Sequence, residues 1–240
     1  MAANHPTDKV AGIMGGMGPE ATVDFMARVI AATPASTDQE HIHMLVDHNP
    51  RIPNRHASIA GSGPDAGPAL VVMAQRLERA GADFLVMVCN TAHAYTEEIR
   101  AAVDIPFVSI IDVVMDAVRT HRAQCIGVMA ADGCLQAGLY QQALRDAGRE
   151  PLLWNTSEQA RFMDLLYRIK AGERSAELRS GLQSLAASLV FGGAELLIAG
   201  CTEIPLLLQA GDTGVELLSS TDLLVARTVA LARGDYAAAV

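Results

Sequence analysis

The chain has 240 residues, half of them apolar, which is enough to bury a core as one large domain or two small ones without disulfide staples. Its net charge of −9, with 18 lysines and arginines scattered singly, offers no basic face for a phosphate backbone or an anionic lipid surface. Those numbers set aside nucleic-acid and membrane partners and point to a small-molecule role.

The opening MAANHPTDKV lacks the apolar core of a signal peptide, and no apolar run approaches the ~20 residues of a membrane span. A cytoplasmic location is therefore expected. The four cysteines, Cys89, Cys125, Cys134 and Cys201, are widely spaced and read as free thiols rather than a disulfide framework. No CxxC pair is present and the His41/His43 pair is a weak signal, so no metal is expected.

Strand-like apolar runs alternate with amphipathic helical stretches along the chain, the pattern of an α/β fold whose parallel sheets carry helices on their faces. VAGIMGG (10–16) reads as the first strand, and PEATVDFMARVIAAT (19–33) as a helix with Pro19 in its first turn. HIHMLVDH (41–48) is the next strand. The Gly- and Pro-rich stretch 49–68, which carries Arg51 and Arg55, is expected as one long functional loop. A helix over 68–81, a strand over 82–89 and a helix over 96–103 follow. Strands are then expected at 106–111, 125–131, 150–154, 194–201 and 215–220, with helices at 139–148 and 177–193.

LVVMAQRLERAGADFLVMVCNT aligns with LQSLAASLVFGGAELLIAGCTE at an offset of 112 residues, pairing Leu70 with Leu182, Gly81 with Gly193 and Cys89 with Cys201. A weaker echo sets GIMGGMG on GVMAADG. Two similar α/β subdomains related by a pseudo-two-fold are implied, the first expected over 1–112 plus 208–240 and the second over 113–207. Ligands of open α/β sheets bind outside the carboxyl ends of the strands, where both cysteines fall, so Cys89 and Cys201 are expected to face each other across a cleft. A helix starting after each thiol would favour thiolate, with Asn90, Thr91 and Thr202 as caps or as donors to an anionic ligand. One such cysteine alone reads as a core residue. Two at matched positions in a repeat, each followed by polar residues, point to shared chemistry.

The segments GIMGGMGPEAT (12–22), DQEH (38–41), NPRIPNR (49–55), CNTAH (89–93) and AGCTEIP (199–205), with DGCLQAGLY and YRIKAG, resemble in order and spacing the signatures of the aspartate/glutamate racemase family. The resemblance implies a cofactor-independent amino-acid racemase, acting on aspartate or glutamate, and a homodimer. It implies that Cys89 and Cys201 alternate as thiolate and thiol on opposite faces of Cα. Asn90, Thr91 and Thr202 would then stabilise the carbanion-like transition state through the α-carboxylate. By the same resemblance Arg55 and Lys170 would engage substrate carboxylates, and Met14 would line the cleft. His93 and Glu203 could tune the thiols or serve as capping or exposed residues. The sequence departs from the family at Arg51, where a glutamine is common, and at Ala131 and Cys134, where threonines are common. Arg51 adds a second cation beside Arg55, and Cys134 is a third thiol, either lining the substrate or buried.

Other readings stay open at this stage. A sister reaction, maleate isomerisation or malonate decarboxylation, would keep the fold and use one cysteine. The glycines of GIMGGMG are a poor match to a dinucleotide fingerprint, because Ala21 stands where the third glycine belongs. A non-catalytic amino-acid binder or dimer-forming protein would not need both cysteines.

Overall fold

The computed structural model describes residues 9–235. The signal-free start expected over residues 1–8 lies outside the described residues. In chain order the first half runs β1 (Ala11–Gly15), α1 (Pro19–Ala32), β2 (Met44–His48), α2 (Arg55–Ile59), α3 (Gly67–Arg79), β3 (Phe84–Met87), α4 (Thr96–Arg100), β4 (Phe107–Val108) and α5 (Ile110–Thr120). The second runs β5 (Cys125–Ala130), α6 (Asp132–Gln136), α7 (Leu139–Asp146), β6 (Glu150–Leu152), α8 (Thr156–Lys170), α9 (Ala176–Phe191), β7 (Leu196–Gly200), β8 (Leu217–Ser219) and α10 (Ser220–Ala232).

The strands form two all-parallel sheets of the same order, β2-β1-β3-β4 and β6-β5-β7-β8, so the internal repeat in the sequence is a repeat of topology. Every residue of β1, β3 and β7 is buried, as expected for parallel strands with helices on both faces. The final helices cross over: α5 packs on α7 of the second half, and α10 packs on α1 of the first. One apolar cluster consequently draws on both halves, with Phe25, Val29, Val114, Val118, Tyr140, Leu144 and Leu224 among its members. On the surface of this joint Arg28 of α1 pairs with Asp222 of α10 at 2.7 Å.

Several expected boundaries change. The strand expected over 106–111 stops after Val108, because the Ser109 hydroxyl accepts from the Asp112 amide and caps α5. The same device recurs at Ser219 and Asp222, where it starts α10. Strand β2 begins only at Met44, leaving His41 and His43 before it rather than on a shared strand face. The 49–68 loop contains α2, which Asn54 caps by accepting from the His56 and Ala57 amides. Within the segment 208–240 expected to join the first half, β8 pairs with β7 in the second sheet, and the element that crosses to the first half is α10. Among the described residues no helix is long and apolar enough to cross a membrane.

The GIMGGMG stretch is a close-packed corner. Gly16 has φ +90°, and a Cβ there would stand 2.5 Å from the backbone carbon of Asn49. Gly81 has a similar φ of +97° but faces open space. Both alanine substitutions incur the left-handed backbone cost of about 1–2 kcal/mol, and only Gly16→Ala adds a backbone clash. Urea denaturation should show Gly16→Ala losing at least ~2 kcal/mol more than Gly81→Ala; equal losses would mean that the Asn49 contact is slack.

Candidate active site

Strand ends bring the two thiols together. Cys89 follows β3 and Cys201 follows β7, and both line a cavity between the halves, at 6% and 7% exposure. The lining is shared evenly: Met17, Arg55, His56, Cys89, Asn90 and Thr91 come from the first half, and Ala131, Leu166, Lys170, Cys201, Thr202 and Glu203 from the second. At about 20 Å³ the cavity holds little more than one water.

The helices expected after each thiol are short 3₁₀ segments, Thr91–Tyr95, which leads into the five-residue α4, and Ile204–Leu206, neither long enough to carry a substantial dipole. Nor do Asn90 and Thr91 act as side-chain caps. Asn90 is instead held across the cleft: Tyr140 Oη–H donates to its Oδ1 at 2.6 Å, and its Nδ2–H donates to Ser220 Oγ at 3.1 Å. Ser220 Oγ–H in turn donates to the Ala199 carbonyl at 2.7 Å. Asn90 keeps one amide proton for the cavity.

Around Cys201 the polar groups converge on Glu203, a carboxylate only 3% exposed. Its Oε2 accepts from Cys201 Sγ–H at 3.0 Å and from Thr202 Oγ1–H at 3.3 Å, while Oε1 is paired with Lys170 Nζ. Three donors make burial of this carboxylate tolerable. Burial and the adjacent Glu203 charge push the Cys201 thiol well above its ordinary range, with Lys170 opposing, so Cys201 is a thiol in this state. Burial works to lower the Lys170 pKa, but the charge of Glu203 and the hydrogen bond to it raise it and hold the ammonium. The position equivalent to Glu203 beside Cys89 is Thr91, which brings no charge.

Other expected residues fall elsewhere. Met14 is core, wholly buried on β1, and Met17 in the turn after it lines the cavity in its place. Cys134 is fully buried in the shared core, where desolvation raises its thiol pKa, so it is not a substrate-lining group. Arg51 is exposed and outside the cavity lining. Arg55 does line it, but its guanidinium is already committed to the carbonyls of Ile52, Pro53 and Met17 at 3.0–3.2 Å, with only Nε unpaired. His93 works from behind the site: Nε2 accepts from the Ile110 amide at 2.9 Å, which places the proton on Nδ1 for the Cys89 carbonyl at 2.8 Å. His56, Ala131 and Leu166 line the cavity without having been singled out as contacts in the sequence. His56 could have been found from its place beside Arg55 at the foot of the proline loop.

Residues 14–228 match the family described as Asp/Glu/Hydantoin racemase. The chain belongs to that family. It is therefore an enzyme of the amino-acid racemase class. It is 28% identical over 222 residues to the broad specificity amino-acid racemase RacX of Bacillus subtilis, covering 91% of this chain and 96% of that one. A glutamate racemase of Aquifex aeolicus is 31% identical over 150 residues, 60% of this chain and 57% of that enzyme. In fold the chain matches the Picrophilus torridus aspartate racemase with a TM-score of 0.81 at 24% identity, covering 93% of this chain and 94% of that one.

Burial lowers the His93 pKa from its ordinary 6.5 to about 4, despite the raising effect of the Cys89 carbonyl. Between those values the unfolded chain takes a proton that the folded chain refuses. This contribution is therefore complete above pH 6.5 and is lost as pH falls towards 4, by up to about 3 kcal/mol. A His93→Gln variant should be less stable at pH 7 and show a shallower acid loss in urea titrations; an unchanged acid slope would remove His93 as its source.

Proposed function

We propose that the cleft interconverts L- and D-amino acids by proton transfer between Cys89 and Cys201, with no cofactor, and that aspartate and glutamate are its first candidate substrates. What carries the reading is the pair of thiols at equivalent strand ends, lining one cavity with five other residues from each half. Racemisation needs a base on one face of Cα and an acid on the other, and a pseudo-two-fold supplies two such positions.

The surroundings of the thiols divide their roles. Cys201, hydrogen-bonded to Glu203, enters the cycle as proton donor. Cys89, beside uncharged Thr91, serves as the base that first takes the α-proton. After transfer Cys89 holds the proton and Cys201 is the thiolate, stabilised by Lys170, and the opposite enantiomer runs the steps in reverse. Charge developing at the α-carboxylate is met by the Thr91 and Thr202 hydroxyls, the free Asn90 amide proton and Lys170. To reach Lys170 a substrate carboxylate displaces Glu203, and a cavity of about 20 Å³ has to widen to admit it. Opening of the two halves about the shared helix core would provide that room.

A second reading, broad specificity, has its own support. The Arg55 guanidinium is engaged by three carbonyls, and Met17, Ala131 and Leu166 give the cavity an apolar side. A relative of nearly the same length is named a broad specificity racemase. A homodimer in the cytoplasm belongs to the same proposal, and light scattering tests the oligomer.

The deciding experiment is incubation with a panel of amino acids in D₂O without added cofactor, following optical rotation and α-deuterium by NMR. Deuterium should enter with inversion, and neither signal across the panel would sink the proposal. Cys89→Ser and Cys201→Ser should each lower turnover by about 10³-fold or more, and a near wild-type rate in either excludes the pair. Lys170→Gln should raise KM about tenfold or more by removing a charged partner of the carboxylate. An unchanged KM would take Lys170 out of substrate binding.

A further inference from the structure

Beyond its place next to Arg55, nothing in the motifs or the family resemblance assigns His56 a role, yet it lines the cavity. It stands in α2, in the first half, and its Nδ1 accepts the Gly133 amide proton of α6, in the second half, at 3.0 Å. The approach depends on glycine, since a Cβ at position 133 would lie 2.7 Å from Nδ1. An acceptor at Nδ1 fixes the tautomer: in the neutral ring the proton is on Nε2. Burial keeps the ring neutral, reinforced by the charges of Arg55 and Lys170; Asp132 and Glu203 oppose without cancelling them. Nε2–H, on the ring edge away from Gly133, meets no acceptor among the described residues.

We infer that His56 is a substrate-contacting residue whose Nε2–H donates to an oxygen of the bound amino acid. The inference rests on the proposed racemase site. The backbone bond to Gly133 joins the two halves and, by occupying Nδ1, leaves Nε2–H as the open donor of the ring. Being uncharged, it serves a carboxylate and an amide carbonyl alike. That sets it apart from Lys170, which favours anions, and extends the accepted side chains to the amides of aspartate and glutamate.

The two functions of the ring can be separated. Asparagine places an oxygen near the Nδ1 position, and glutamine places an amide N–H near the Nε2 position. His56→Asn thus keeps the acceptor for Gly133 and loses the donor, and His56→Gln does the reverse. The expected result is a KM raised about tenfold or more in His56→Asn with an unchanged melting temperature, and a KM within about threefold of wild type in His56→Gln. An unchanged KM in His56→Asn, or a larger rise in His56→Gln, would overturn the inference and leave His56 as a cross-cleft tie. Calorimetric Kd values for alanine, aspartate and asparagine should follow the same order with or without turnover, so His56 is decided even if the racemase proposal fails. A loss shared by alanine places the acceptor on the α-carboxylate; a loss confined to the other two places it on the side chain. Failure of wild type to bind any of the three overturns both.

Discussion

The structure depends on an exchange of helices. Two four-stranded parallel sheets would each be an incomplete α/β unit, with strand ends open to water, if α5 and α10 stayed with their own halves. Instead each crosses to cover the other half, and the shared cluster around Phe25, Val114, Tyr140 and Leu224 becomes a single core that neither half can form alone. Apolar burial then fixes how the sheets face each other. The cavity is the gap left between their carboxyl ends, and the Asn90–Tyr140–Ser220 chain runs directly from that core to its wall. Geometry at the thiols is therefore set by the same packing that holds the fold.

Symmetry of topology does not make the site symmetric. At the offset that matches Cys89 with Cys201, Asn90 meets Thr202 and Thr91 meets Glu203. The first substitution exchanges one hydrogen-bonding residue for another. The second places a buried carboxylate beside one thiol and leaves the other with a hydroxyl. A carboxylate at 3.0 Å from Sγ opposes a thiolate by charge repulsion, and Lys170 answers it only in part, so the two sulfurs differ although their strands match. A two-base reaction needs that difference at each moment, since one group must be empty when the other is loaded.

The sequence carried most of the architecture because periodicity and the internal repeat are local signals. Cys89, Cys201, Asn90, Thr91 and Thr202 follow from the repeat and its motifs, Lys170 only from the family resemblance, and Glu203, open between tuning and exposed roles in the sequence, is buried at the cavity. The misplacements arose where a single capping bond outweighs an apolar run: Ser109 and Ser219 end short strands and start α5 and α10, and a serine followed three residues later by aspartate was the available signal. Helix α8 carried a similar signal in Asn155 and Glu158, whose side chains cap it reciprocally. Met14 is core rather than cavity wall because position at a strand end does not tell which side of the strand faces the cleft, and of the two roles open for Cys134 in α6 the structure has the buried one. Arg55 was located at the wall, but its three backbone carbonyl partners are contacts of folded loops that no linear pattern reports.

The closed cavity has an electrostatic consequence for binding. A free ammonium buried beside two sulfurs would demand water or a counter-ion, and Glu203 supplies that counter-ion from within the chain. On the proposed reading a substrate carboxylate that takes its place on Lys170 leaves Glu203 buried without its cation, so pairing with the ammonium alone contributes little net binding. Much of the selectivity for an amino acid then has to come from groups that the exchange does not merely swap. On the proposed reading these are the Thr91 hydroxyl, the second Asn90 amide proton and the neutral edge of His56, none of which has an acceptor among the described residues, whereas the Thr202 hydroxyl is already donated to Glu203.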